Sequence, residues 1–148
     1  MHLTVRFIGH VADDRASAIV EAVRLPIDLA SFDVTLGQCG VFPPGRPPRV
    51  LWIGVKEGLL SLAALHAEFN RRLAPLGFQP EERPYSAHLT LARVKDAPRG
   101  STSAARAAVQ SVVANPARCR ISEVTLFESR LSPKGPTYTP LLRIPLRS

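Results

Sequence analysis

The chain has 148 residues, 45% of them hydrophobic, and a formal net charge of +7. This length and composition predict one compact domain and exclude a disordered chain. No apolar run approaches the roughly 20 residues that span a bilayer, and the N-terminus lacks the basic-then-apolar order of a signal peptide. We therefore expect a soluble, cytoplasmic protein.

The positive charge rests largely on arginine, because the only lysines are at positions 56, 95 and 134. The planar guanidinium suits bidentate contact with phosphate, so the charge favours nucleic acid or another phosphorylated ligand as the partner. Cys39 and Cys119 are too few for a disulfide framework or a structural zinc site. The sequence also has no HExxH, no GxxxxGK loop and no GxSxG elbow. We expect acid–base chemistry without a metal or cofactor.

The first half of the chain predicts a strand, a helix and two further strands. HLTVRFIG is interpreted as the opening strand, and Asp13 and Asp14 predict the N-terminal cap of a helix that continues to about Arg24. SFDVTLGQC alternates like a half-buried strand, and the loop FPPGRPPR leads to a strand over VLWIGV. A long amphipathic helix follows, from about Glu57 to Ala74.

The second half repeats this order. It predicts a strand at roughly 85–94, a helix near 102–113, a strand near 118–128, the loop SPKGP and a strand near 137–146. We therefore predict an α+β fold, in which one domain over 1–148 has two pseudo-symmetric lobes, about 1–56 and 76–148. The helix at 57–74 joins the lobes, and two antiparallel sheets with flanking helices surround a central cleft.

Each half opens with the triplet His-Leu-Thr, at His2–Thr4 and His88–Thr90, although the chain has only four histidines. In a strand, the histidine and threonine of each triplet share one face and the leucine lies on the other. Two such strands aim two imidazoles and two hydroxyls into one groove, which suits paired general acid and base catalysis at a phosphate. The alternative is that threonine serves strand propensity and histidine serves packing. His10 and His66 are interpreted as structural.

Four segments, HLTVRFIG, VLWIGV, AHLTLAR and ESRLSPKGPTYTPL, resemble the two-histidine (2H) phosphoesterase superfamily. The resemblance is specifically to the RNA 2',3'-cyclic phosphodiesterases, also called 2'-5' RNA ligases, and it covers nearly the whole chain. It implies metal-independent hydrolysis of 2',3'-cyclic phosphate ends of RNA to 2'-phosphomonoesters, and it leaves 2'-5' RNA ligation open as a second activity.

The resemblance also implies six site residues, which are the catalytic His2 and His88 and the substrate-binding Thr4, Thr90, Arg93 and Phe7. The acid is expected at His2 and the base at His88, with the reverse order left open. Both threonines would bind phosphate oxygens, Arg93 would add positive charge, and Phe7 would stack on a base. Alternation alone puts Phe7 and Arg93 on the face opposite the histidines, so a bulge or a strand end must re-aim them.

The sequence departs from the family in two places. Ser86 and Ala87 stand where the family commonly has an arginine and a proline. The family also has a strand and a helix ahead of the first triplet, where this chain has only Met1. Their lack would leave a sheet edge unpaired and an apolar face uncovered. We therefore expect either that the chain begins later than its family or that a second copy covers this position in a homodimer.

Two other functions fit the same residues. One is a binding module that recognises RNA ends or 2'-5' linkages without turnover, and the other is an enzyme of the same mechanism that acts on a different cyclic or 2'-5' phosphodiester. Intact histidine and threonine in both triplets favour an enzyme, but the sequence leaves its substrate open.

Overall fold

The computed structural model of the chain describes residues 2–44, 46–81, 83–94, 103, 107, 117–133 and 135–148. Its long helices are α1 (Asp13–Val23) and α2 (Leu59–Leu73), and a 3₁₀ turn at Ala74–Leu76 follows α2. The strands are β1 (Ile27–Ala30), β2 (Phe32–Phe42), β3 (Val50–Glu57), β4 (His88–Arg93), β5 (Arg118–Ile121), β6 (Glu123–Ser132) and β7 (Gly135–Arg147). The predicted helix near 102–113 lies outside the described residues, except for Ser103 and Ala107, which are helical.

The strands form two sheets, so the predicted α+β fold with two sheets is confirmed. One sheet has the order β4-β3-β2-β5 and the other the order β1-β7-β6. The short strand β1 was not predicted, and it pairs with β7 in parallel, so the second sheet is mixed rather than antiparallel. Within the described ranges, no helix is long and apolar enough to cross a membrane.

The chain passes between the sheets at two serines in equivalent places. Ser31 separates β1 from β2, and Ser122 separates β5 from β6, and each pair of consecutive strands is split between the sheets. The single strand predicted near 118–128 is therefore wrong, since it is two strands with a break between them. The backbone at each break is bonded to β7, because Ser31 N–H donates to Arg147 O and Leu146 N–H donates to Ser122 O.

The main core lies between both helices and the β1-β7-β6 sheet. Its fully buried members are Ile19, Val23, Ile27, Leu65, Phe69, Leu73, Ile144 and Leu146. A smaller cluster joins α2 to the other sheet through Leu62, Val34 and Ala87, with Leu3 and Tyr85 packed against it. Helix α2 therefore contacts both sheets and holds them together.

The helix starts differ from the sequence prediction. Ala12 occupies the cap position of α1 without a side-chain hydrogen bond, and Asp13 and Asp14 lie in the first turn, where their charges complement the helix dipole. Helix α2 begins at Leu59 because Gly58 has φ +88°. A Cβ on Gly58 would lie 2.6 Å from Asp33 O, so this close turn requires glycine.

A buried arginine joins the two helices. Arg72 on α2 is only 8% exposed, and its guanidinium donates hydrogen bonds to the carbonyl oxygens of Val23, Leu25 and Pro26 at 2.9, 2.5 and 2.8 Å. It also donates to a Glu68 carboxylate oxygen at 2.8 Å. Carbonyls at a helix C-terminus lack intrahelical donors, so Arg72 satisfies the end of α1 and the segment after it.

Candidate active site

The two His-Leu-Thr segments lie side by side. An antiparallel bridge joins Leu3 to Leu89, the central residues of the two triplets. Leu3 packs against the small core, and alternation therefore turns His2 and Thr4 away from it. The predicted opening strand is otherwise not formed, because residues 2–10 show only this one bridge.

The register of the bridge determines which polar residues face each other. In an antiparallel pair centred on Leu3 and Leu89, His2 stands opposite Thr90, and Thr4 stands opposite His88. Each histidine therefore has the threonine of the other triplet across from it. This arrangement suits two imidazoles and two hydroxyls that act on one bound group.

His88 is held in a defined tautomer. Its Nδ1 lies 2.8 Å from Ser86 O, and a carbonyl oxygen only accepts, so Nδ1 carries the hydrogen. In the neutral ring, Nε2 is then unprotonated and available as a base. The ring lies edge-on to Phe42 and Trp52, with centroid distances of 5.7 and 6.3 Å.

His2 contacts the other sheet. Its ring lies edge-on to Tyr138 on β7, with the centroids 5.3 Å apart, and Tyr138 lies edge-on to Phe127 at 6.3 Å. His88, by contrast, contacts rings on β2 and β3. The two histidines therefore have different sheets as neighbours.

The backbone of the first triplet is fixed by side chains rather than by a sheet. Tyr85 Oη donates to Thr4 O at 3.1 Å, and His66 Nδ1 donates to Val5 O at 2.7 Å. The two rings stack with their centroids 4.5 Å apart, and Asn70 Nδ2 donates to His66 Nε2 at 3.0 Å. Burial raises the pKa of Tyr85 to about 12, so its hydroxyl remains a donor.

Replacing Tyr85 by phenylalanine tests this role. The change keeps the stacked ring and removes the hydrogen bond to Thr4 O, so we expect kcat to fall about two- to tenfold, in line with one hydrogen bond. The thermal midpoint should change little, because the ring still packs. A normal kcat in a folded Tyr85→Phe variant would show that this bond does not position the first triplet.

Strand β4 contains a bulge, which is one of the two features that the sequence predicts to re-aim Arg93. The residues on either side of Leu91 pair with consecutive residues of β3, so Leu91 is an extra residue. Arg93 then stands opposite Val50, and Thr90 stands opposite Trp52. Because Val50 and Trp52 are two residues apart on one strand, Arg93 shares the face of Thr90.

Phe7, the remaining predicted site residue, is less closely connected to the face that carries Thr90 and Arg93. Phe7 is 70% exposed, and it follows a bend at Val5. Its base-stacking role stays a prediction. Over the ranges given above, no group of three or more His, Cys, Asp or Glu side chains could hold a metal ion.

Sequence reasoning missed five side chains that contact the triplets or the residue after the first triplet, namely Phe42, Trp52, His66, Tyr85 and Tyr138. Trp52 and Tyr138 belong to segments already singled out, VLWIGV and the terminal pattern, and that was the available signal. His66 had been interpreted as structural because its position is on the apolar side of α2. Its partner, the carbonyl of Val5, is 61 residues away in sequence and carries no sequence signal.

Two sheets and two adjacent histidine-threonine segments are features of one class of protein, the phosphoesterases with two histidine motifs. The family model described as LigT like Phosphoesterase matches residues 1–52 and 53–138. The chain belongs to this family. It covers between about three quarters and four fifths of the length of each relative described next.

Two relatives named RNA 2',3'-cyclic phosphodiesterase are from Aeropyrum pernix and Methanothermobacter thermautotrophicus. The first is 33% identical over 97% of this chain and 80% of its own length, and the second is 34% identical over 94% and 74%. Among solved structures, TT0787 of Thermus thermophilus has a TM-score of 0.77 at 25% identity and covers 99% of this chain and 78% of its own. E. coli LigT complexed with 3'-AMP has a TM-score of 0.73 at 26% identity, covering 99% and 77%.

Proposed function

We propose that the protein is an RNA 2',3'-cyclic phosphodiesterase, which hydrolyses 2',3'-cyclic phosphate ends to 2'-phosphomonoesters by paired histidine catalysis without a metal. The relatives that carry this name support the substrate. The mechanism is supported chiefly by the bridge between Leu3 and Leu89, because its register brings both histidine-threonine pairs to one place.

In the proposed reaction, His88 is the base and His2 is the acid. His88 Nε2 takes a proton from water, the water oxygen attacks phosphorus, and the bond from phosphorus to the 3' oxygen breaks. His2 donates its proton to the departing 3' oxygen, and the phosphate stays on the 2' oxygen. The bond from His88 Nδ1 to Ser86 O supports this order, because it leaves Nε2 free to accept a proton.

The other predicted residues bind the substrate. Thr4 and Thr90 would donate hydrogen bonds to phosphate oxygens, and Arg93 would offset the charge that develops during attack. The bulge at Leu91 supports Arg93 in this role, since it turns the side chain to the face of Thr90. Phe7 would stack on a base, as the resemblance implies, and its 70% exposure leaves the ring accessible.

A substrate panel tests the proposed function. Adenosine 2',3'-cyclic phosphate, a 2'-5' linked diadenylate and 3',5'-cyclic AMP would each be incubated with the protein in EDTA and separated by chromatography. We expect conversion of the 2',3'-cyclic substrate to adenosine 2'-phosphate. Binding without conversion would indicate the non-catalytic module, and preferential cleavage of another phosphodiester would change the substrate. Adding a 5'-hydroxyl oligonucleotide tests 2'-5' ligation, in which that hydroxyl replaces water.

Replacing Arg93 by lysine tests the guanidinium. Lysine keeps the charge but loses the planar pair of donors, so we expect kcat/KM to fall about tenfold. Arg24→Lys is the matched control, because Arg24 lies at the end of α1 in an exposed ion pair with Glu21. Equal activity of the two variants would show that Arg93 is a surface residue without a role in the site.

Two further expectations stay predictions. Light scattering of the protein tests the homodimer, and a monomer with full activity would contradict it. Fractionation of cells that produce the protein tests the cytoplasmic location.

A further inference from the structure

An aromatic surface lies beside His88 on the β4-β3-β2-β5 sheet. We name Phe42 and Trp52 the aromatic floor, because their rings stack with centroids 5.2 Å apart and planes 26° apart. Two glycines make room for the indole. A Cβ on Gly40 would overlap the Trp52 ring, and one on Gly54 would lie 3.3 Å from it. The indole therefore lies close against the sheet, as larger residues there would not allow.

The aromatic floor extends from His88 to the end of the sheet where Arg93 lies. Each of its two rings makes an edge contact with the His88 ring. Phe42 pairs with Val50, and Val50 pairs with Arg93 on the next strand, so the three residues form one row across the sheet. Phe42 is 38% exposed. A ring accessible to solvent thus contacts His88 and lies in the same row of the sheet as Arg93.

Positive charge collects at this end of the sheet. Arg46 and Arg49 lie in the β2–β3 hairpin, where Arg49 N–H donates to Phe42 O and Val94 N–H donates to Arg49 O. Among the residues that the structure describes, Arg46, Arg49 and Arg93 form no ion pair, whereas arginines elsewhere commonly do, such as Arg118 and Arg120 with Asp33. These three arginines are therefore available to an anion.

We propose that the aromatic floor stacks the second nucleobase of the RNA end, the one that precedes the nucleotide with the cyclic phosphate. Arg46 and Arg49 then bind the backbone phosphates on its 5' side. Bases stack on aromatic side chains, and the guanidinium pairs with phosphate. This inference rests on the proposed function.

The number of phosphates favours the second base over the terminal one. A mononucleoside 2',3'-cyclic phosphate carries one phosphate, which the two triplets and Arg93 bind in the proposed function. Arg46 and Arg49, in the β2–β3 hairpin, then have no phosphate to bind unless the substrate is longer. An RNA strand that leaves the site over Phe42 supplies both the base for the ring and the phosphates for the arginines.

A comparison of two substrates tests the aromatic floor. kcat/KM would be measured for adenosine 2',3'-cyclic phosphate and for a diadenylate that ends in the same cyclic phosphate, with wild type, Phe42→Leu and Phe42→Tyr. Loss of one stacked base should lower the ratio of diadenylate to mononucleotide kcat/KM about tenfold in Phe42→Leu. Phe42→Tyr keeps the ring and should keep the ratio. An unchanged ratio in Phe42→Leu would overturn the proposal, even if both rates fell together.

The salt dependence tests the arginines. For a triadenylate with the cyclic end, Arg46→Ala and Arg49→Ala should each reduce the slope of log(1/KM) against log salt concentration by about 0.7, the value for one phosphate contact on a single strand. Arg24→Ala is the control, because Arg24 lies at the C-terminal cap of α1. This variant should keep the wild-type slope. If both variants had the same slope as the control, the β2–β3 hairpin would not lie on the path of the RNA.

Trp52 provides a measurement that needs no turnover, because it is the only tryptophan in the chain. A diadenylate 2'-phosphate should change Trp52 fluorescence more than adenosine 2'-phosphate does, and Phe42→Leu should abolish this difference. Equal responses to both ligands in wild type would contradict a second base on the aromatic floor. If wild type fails to hydrolyse the mononucleotide, the proposed function fails separately, whatever the fluorescence shows.

Discussion

Alanine in place of either His2 or His88 is expected to lower kcat by about 10²- to 10⁴-fold, because a positioned general acid or base typically contributes this much. The proposed reaction needs His88 in its unprotonated form and His2 in its protonated form, so neither ring can replace the other. The rate of the wild-type protein should also rise and then fall with pH. Single-turnover hydrolysis of adenosine 2',3'-cyclic phosphate measures the chemical step directly.

The two alanine variants should still bind the product, because the threonines and Arg93 remain. A His66→Ala variant provides a comparison, since His66 contacts the backbone at Val5 and not the proposed substrate. Its kcat should fall far less than that of His88→Ala. Near-normal kcat in a folded His2→Ala or His88→Ala variant would show that the paired-histidine mechanism is wrong.

Replacing the buried Arg72 by leucine is expected to lower the free energy of unfolding by about 3–5 kcal/mol, the range for removing one partner of a buried ion pair. Three carbonyl oxygens at the end of α1 and in the segment after it lose their donor, and Glu68 loses one of its two arginines. Urea unfolding followed by circular dichroism measures the change.

Arg71→Leu is the matched control, because Arg71 binds the same carboxylate at 2.7 and 2.9 Å but its side chain is 72% exposed. Solvent screens this pair, so its removal should lower the free energy of unfolding far less than the removal of Arg72 does. Equal losses in the two variants would contradict the role given to Arg72 at the end of α1.

The same carboxylate should make stability depend on acid pH. The hydrogen bond from Arg71 lowers the pKa of Glu68 from 4.5 to about 2, burial opposes this effect, and Arg72 adds to it. A lowered folded-state pKa stabilises the protein above about 4.5, and this stabilisation is lost as pH falls towards about 2. In Glu68→Gln, this part of the acid dependence should disappear.

The sequence predicted the elements whose patterns are local. Alternation in SFDVTLGQC and VLWIGV identified β2 and β3, and helical spacing identified α1 and α2 within a few residues. Strand β1 and the break at Ser122 were missed because they depend on backbone bonds to β7, which is distant in sequence from β1. The opening segment reads like a strand, but it pairs only at Leu3.

For the site, repetition of the triplet was the strongest signal, and the alternation rule also required either a bulge or a strand end, of which the structure has a bulge at Leu91. The rings around the histidines could not be predicted in the same way. Trp52 reaches His88 because Gly40 on the neighbouring strand and Gly54 on its own strand leave space for the indole. Such a contact depends on strand register, which the sequence of a single strand does not determine.

The most direct test of the central claim is the product formed in ¹⁸O-labelled water. Adenosine 2',3'-cyclic phosphate would be incubated with the protein in EDTA, and the product followed by phosphorus NMR. Attack of water on phosphorus with cleavage to the 3' oxygen predicts adenosine 2'-phosphate with one ¹⁸O on phosphorus, and no such product with His88→Ala. Adenosine 3'-phosphate, an unlabelled product, or turnover that requires added metal would contradict the proposed mechanism.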